Sequence, residues 1–219
     1  LERMLATSRR LYFALSVVSF GLVLLAGQPE VAAYVLLLAG LYVPWRTWSL
    51  RKSTWDRLGG ISQGFFAFVL GLGLSAPLIV PFLEFVTAGH DLHPPGGSIG
   101  ALTVPVPAWV IGIFLPTFFE VPTWERWGPI NGVWDFLGGY SGVLPAGLIF
   151  LALGRGLHGA YHRSYLLFFG AIGTVILLKN FGVSPFPWIG HLPVLDQVWS
   201  PRWAGPVWTF CFAMAGAFG

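Results

Sequence analysis

Charge is what this sequence has least of. Only 10% of its 219 residues are Asp, Glu, Lys or Arg, whereas a soluble domain needs about a quarter of its residues charged to cover its surface. An ordinary soluble globular fold is excluded on that ground. Cysteine is nearly missing too: the single Cys211 lies in an apolar run, so no disulfide framework and no Cys-based zinc site exists within the chain. No basic tract suits a phosphate backbone. The one cationic cluster, residues 46–57, flanks an apolar run where membrane topology accounts for it, so nucleic acid is not an expected partner. No His sits mid-way along an apolar run, which disfavours a helix that ligates haem or a pigment. The apolar runs also lack mid-depth charges, which disfavours a carrier or pore. There is no internal repeat.

What is present is apolar length. Hydrophobic residues make up 55% of the chain and aromatics 16%, with a mean hydropathy of +0.72, and lipid is the solvent that suits such a composition. A spanning helix needs about 17–25 predominantly apolar residues. Six stretches meet or approach this: 11–27, 31–48, 59–85, 139–153, 165–178 and 203–219. The sequence predicts an all-α, polytopic helical membrane protein with about six transmembrane helices, forming a single transmembrane domain over 1–219. The tight Gln28-Pro29-Glu30 turn predicts that its first two helices form an antiparallel pair. Leu1 is not a natural initiator, and Gly219 ends an apolar run without a polar cap. The chain is therefore expected to be a fragment of a longer polypeptide. The first apolar run has no small-residue cleavage site, so it reads as a span and not as a signal peptide.

With six spans the connections alternate sides. One side holds Arg3, Arg9, Arg10, Arg46, Arg51, Lys52, Arg57, Arg155 and Arg163; the other holds Arg126, Lys179 and Arg202. The arginine-rich side is expected to be cytoplasmic, and seven of the nine acidic residues fall on the opposite side. The expected topology is multi-pass, with the long connections outside. The longest, 86–138, carries seven prolines and four tryptophans. Within it 103–119 is apolar but interrupted by Pro105, Pro107 and Pro116, so it is expected to form an interfacial or re-entrant segment with Trp109 near the headgroups.

Four outer residues can carry binding chemistry. Glu30 is placed where two helices leave the bilayer; it either caps the second helix through the exposed amides of the first turn or faces an outer cavity. Glu84 ends the third span after two prolines, as an interfacial acid or a functional one. Lys179 and Arg202 are the outer cations nearest to spans. Each can meet a phosphate, Arg with a two-pronged geometry, or can anchor its helix by reaching for water. The run His90-Asp91-Leu92-His93 offers two imidazoles to a divalent metal, but no third ligand is set by spacing, so no metal site and no cofactor is expected.

Four stretches together resemble the YfhO-type bacterial membrane protein family, a branch of the GT-C glycosyltransferase-like proteins. They are LLAGQPEVAAYVLLLAGLYVPWR, with Gln28 where that family usually has His; APLIVPFLEFV, matching Pro81 and Glu84 to a Pro-x-x-Glu helix end; FLPTFFE with GGYSGVLPAGLIFLAL; and LPVLDQVWSPRWAGPVWTFCFAMAGAFG. Where the family has Ser and Arg shortly after the Glu84 position, this chain has Thr87-Ala88-Gly89-His90. The resemblance implies a location in a bacterial cytoplasmic (inner) membrane and a GT-C-like segment with a long outer loop, moving a sugar from a polyprenyl-phosphate carrier to an acceptor at the outer face. It also implies a catalytic Asp in a first outer loop upstream of Leu1, so no catalytic residue is assigned within this chain. Arg202 is then the first choice to steady the departing lipid phosphate and Lys179 the second, with Glu30 and Glu84 shaping the cavity. The alternative is a non-catalytic membrane subunit packed against protein partners, for which 11 tryptophans and a proline-rich loop are equally suited.

Overall fold

The computed structural model describes residues 1–50, 53–88, 106–115, 118, 137–154, 160–198 and 200–218. Their regular structure is helical, with no strand among the described residues. The chain divides into two compact units, Leu1–Leu92 and His93–Gly219.

Unit 1 contains α1 (Glu2–Thr7), α2 (Arg10–Leu25), α3 (Pro29–Leu50) and α4 (Thr54–Ala88). The connection from α2 to α3 follows from its residues. Gly27 takes φ +79 just after α2, a left-handed conformation that glycine adopts without a Cβ penalty. Pro29 then opens α3, where its fixed φ is already helical and its missing N–H costs nothing. The Gln28 carbonyl accepts the first helical bond, from Ala32 N–H at 3.0 Å.

Although α2 and α3 are adjacent in sequence, α2 packs chiefly against α4, which also meets α3. One face of α4 explains this. Gly60, Gly64, Ala67, Gly71 and Ser75 recur at helical spacing, and small side chains allow two helix backbones to approach closely. A Cβ on Gly64 would meet Val43 Cγ1 of α3 at 2.7 Å, and one on Gly71 would meet Phe20 Cβ of α2 at 2.6 Å and the Val17 carbonyl at 2.9 Å. Met4, Leu5, Val17, Phe20, Val43 and Ala67 form the buried core around this crossing, with Phe20 and Phe68 edge to face at 5.8 Å.

Two helices, Pro29–Leu50 and Thr54–Phe85, are long and apolar enough to cross a membrane. At 35 residues, α4 is about 52 Å long. It remains helical through Pro77 and Pro81. Only 17% of its most apolar stretch is buried, so its Phe and Leu side chains face outward on several sides, as Phe65, Phe66, Leu70, Leu78 and Phe85 do.

Unit 2 contains α5 (Val106–Phe114), α6 (Val143–Gly154), α7 (Ala160–Asn180), the 3-10 turns Phe186–His191, Leu195–Gln197 and Pro201–Ala204, and α8 (Gly205–Phe218). Helix α8 packs against both α6 and α7. Its buried residues Val207, Trp208, Cys211 and Ala215 recur at three- and four-residue steps, the spacing of one helix face. Glycines set the contacts: Gly173 of α7 against Cys211 Cβ, and Gly216 of α8 against the Pro145 backbone of α6. The nine residues of α5 reach about 14 Å, too short to span. Pro105 and Pro116, which flank it in sequence, lie outside the described residues. Of the six expected spans, the second and third have the length and apolarity to cross; α2, α6 and α8 have 16, 12 and 14 residues. The 21 residues of α7 carry His162 and Arg163 at one end and Lys179 and Asn180 at the other.

Candidate functional site

The two cations expected to bind phosphate, Lys179 and Arg202, both belong to unit 2. Helix α7 stops in a defined way at its C-terminal end: Gly182 takes φ +67, its N–H bonds the Lys179 carbonyl at 3.0 Å, and Val183 N–H reaches back to the Leu178 carbonyl at 2.9 Å. These paired bonds are the Schellman arrangement, in which a glycine past the helix end lets the chain turn back and satisfy the last carbonyls. The termination fixes Lys179 and Asn180 in the final turn. Asn180, fully buried, donates through Nδ2 to the Pro201 carbonyl at 3.1 Å. That bond holds the Pro201–Ala204 turn, and with it Arg202, to the end of α7.

Arg202 lies with its guanidinium over the Trp203 ring, 4.8 Å from the centroid, an attraction between a cation and the negative face of an indole. A second backbone segment presses on the same turn. A Cβ on Gly138, whose φ is +64, would overlap the Arg202 carbonyl, and one on Gly205 would overlap the Gly138 carbonyl. Trp208 locks the crossing by donating Nε1–H to the Leu137 carbonyl at 2.8 Å. Glycine at 138 and 205 is therefore a condition for Arg202 to stand where it does.

Lys179 is 0% exposed. An anchoring lysine keeps its ammonium in water, and Lys179 does not. It lies one residue past the expected fifth span, and burial pushes its pKa down to about 8, because a charge removed from water is disfavoured. Arg202 is partly exposed, and a guanidinium so placed suits an oxyanion with several acceptor oxygens.

The two acids belong to unit 1. Glu30 is in the first turn of α3 and accepts a 2.6 Å hydrogen bond from the Gln28 side chain, through Nε2. Glu84 is exposed near the end of α4, where the Thr87 hydroxyl donates to its carbonyl at 3.0 Å. An apolar cleft of about 330 Å³ in unit 1, lined by Phe20, Leu36, Val43, Pro44, Phe65 and Phe68 among others, can hold an apolar chain but has no group for chemistry. His90, Asp91 and His93 lie outside the described residues, as do Arg51, Lys52, Trp124, Arg126 and Arg155. Among the described residues no three His, Cys, Asp or Glu side chains gather around a metal-sized space.

Sequence reasoning did not single out Asn180, Trp203 or Gly138. The signal for Asn180 was a polar pair closing an apolar helix directly before Phe-Gly. Arg46, one of the cations on the side expected to be cytoplasmic, is buried at 4% exposure and forms a two-pronged ion pair with Glu2. Comparison of the chain with protein-family models, curated proteins and solved structures finds no match.

Proposed function

We propose that this chain is part of an integral membrane GT-C-type glycosyltransferase that takes sugar from a polyprenyl-phosphate carrier at the outer face of a bacterial inner membrane. The observation that carries the proposal is the Asn180 bond to Pro201, which ties the end of α7, next to Lys179, to the turn that carries Arg202. Supporting it are the four stretches that resemble the YfhO-type family. The outward-facing apolar side chains of α4 support immersion in lipid, because a core helix of a soluble protein would bury them. The six-span topology with long outer connections is part of the same proposal.

In the proposed reaction a carboxylate base takes the acceptor hydroxyl's proton. The acceptor oxygen forms its bond to the sugar's anomeric carbon as the bond from that carbon to the lipid phosphate breaks. Arg202, with Lys179 as the second cation, neutralises the phosphate charge that develops on departure. Glu30 and Glu84 shape the outer end of unit 1. No metal or other cofactor enters this scheme.

The test is transfer of labelled sugar from a polyprenyl-phosphate donor by membranes containing the protein. Arg202→Gln is expected to lower the rate by about 100-fold or more, the scale at which removal of a charge-stabilising donor is felt. Transfer unchanged in Arg202→Gln and Lys179→Met would remove the catalytic reading. The second reading, a non-catalytic subunit, draws on the same outward-facing apolar residues of α4, which can cover a partner helix as readily as they meet lipid. Purification of a stable complex that protects Phe65 and Phe85 from lipid-soluble labelling, in a protein without transfer activity, would establish it.

A further inference from the structure

One end of unit 1 carries a concentration of charge that sugar transfer does not use. Three contacts bring its residues together. Glu2 of α1 is held by Arg46 near the end of α3, with Arg46 Nη2 to Oε1 at 2.6 Å and Nε to Oε2 at 2.7 Å, while Tyr42 donates its hydroxyl to Oε2 at 2.5 Å. Only Ser8, in a left-handed conformation, and Arg9 separate α1 from α2, so Arg9 and Arg10 stand at this same end. Arg57 in the first turn of α4 lies over the Trp48 ring at 4.4 Å, and Trp48 is two residues past Arg46.

The charges do not cancel. The described ionic side chains here are Arg3, Arg9, Arg10, Arg46 and Arg57 against Glu2 and Asp56. Arg46 occupies both carboxylate oxygens of Glu2, which leaves that acid to balance a buried cation and not the exposed ones. Arg3, Arg9 and Arg10 are exposed, while Met4 and Leu5 of the same short helix are sunk into the core. Two indoles flank the patch, Trp48 at 66% and Trp55 at 82% exposure. An indole with an apolar body and a polar N–H settles at the boundary between hydrocarbon and water, and arginines at that level attract lipid phosphates.

We propose that this end of unit 1 binds the headgroups of anionic phospholipids, with Arg3, Arg9 and Arg10 meeting phosphate and Trp48 and Trp55 lying at headgroup depth. The proposal rests on the membrane reading given above. It adds a preference for lipid charge, which spanning alone does not require.

The test uses the full chain in bilayers containing a trace of spin-labelled phosphatidylglycerol or spin-labelled phosphatidylcholine, and reads the fraction of each immobilised at the protein surface. Phosphatidylglycerol is expected to associate several-fold more strongly at low salt. The preference falls towards equality as the Debye length shrinks from about 10 Å to about 3 Å in 1 M salt. The double variant Arg9→Gln with Arg10→Gln removes most of the preference, at about five-fold per arginine for a headgroup in direct contact, with helicity by circular dichroism unchanged. Equal association of the two lipids with the wild-type chain at low salt, or a preference that survives the double variant, overturns the proposal. A chain washed off vesicles by alkaline carbonate fails at the membrane reading itself, and is distinguished from one that stays inserted without preference.

Discussion

Val194 holds a backbone geometry that its side chain opposes. Its φ of 74° and ψ of −41° are close to the strained γ-turn, and a β-branched residue at positive φ is a genuine outlier. Because its side chain is exposed, little packing is lost on removing it. Val194→Gly is expected to raise stability by about 1 kcal/mol, the size of such strain less the extra freedom glycine gives the unfolded chain. A thermal melt in detergent measures it, and a lower midpoint would mean that Val194 makes contacts that outweigh its strain. Lys179 gives a prediction in pH. Its folded pKa of about 8 lies below the unfolded value of about 10.4, so between these values the unfolded chain binds more protons than the folded one, and stability rises with pH. The burial cost is fully present below pH 8 and is relieved as the ammonium loses its proton. The melting midpoint of the wild type should climb between pH 8 and 10 relative to Lys179→Met, and parallel curves would count against a buried charged amine.

At the scale of elements, α4 contains its own control experiment. Gly71→Ala brings a methyl against Phe20 Cβ and the Val17 carbonyl, one of them backbone that cannot swing aside, whereas an alanine at Gly73 meets nothing within 4 Å. The first change is expected to destabilise by about 1–3 kcal/mol through overpacking. The second is expected to be neutral or to stabilise by up to about 1 kcal/mol through helix propensity. Unfolding of both variants in denaturing detergent decides it; equal effects would show that the α2–α4 crossing does not depend on close backbone approach. The same helix shows where sequence reading succeeds and where it stops. The α2–α3 turn was legible because Gly27 and Pro29 each have one strong local use. The pairing of α2 with α4 was not, because it depends on the small residues of α4 facing a helix some fifty residues earlier.

For the whole molecule, the arrangement of charge predicts a sidedness that labelling can read. Single cysteines placed at Trp55 and at Trp188, both exposed, in a Cys211→Ser background should react differently with a membrane-impermeant maleimide in intact cells. Position 188 labels directly, and position 55 labels only after permeabilisation. The reverse pattern would invert the topology and remove the outer-face reading of Lys179 and Arg202. Composition was enough to name the helical class, since that follows from sums over many residues. The tie between the end of α7 and the turn that carries Arg202 was beyond it. It depends on the Asn180 side chain, Gly182 and the Gly138–Gly205 crossing together, and no periodicity announces such a tie.

The bridge from Glu2 to Arg46 spans 44 positions, and this has a consequence for biogenesis. During synthesis the opening helix emerges long before its counter-ion exists, and it has nothing to clasp until the third helix has been made. Closure of that clasp therefore marks the moment at which the N-terminal bundle can become a cooperative unit. Chains arrested before residue 46 should show Met4 and Leu5 open to chaperones and proteases, whereas longer ones should protect them.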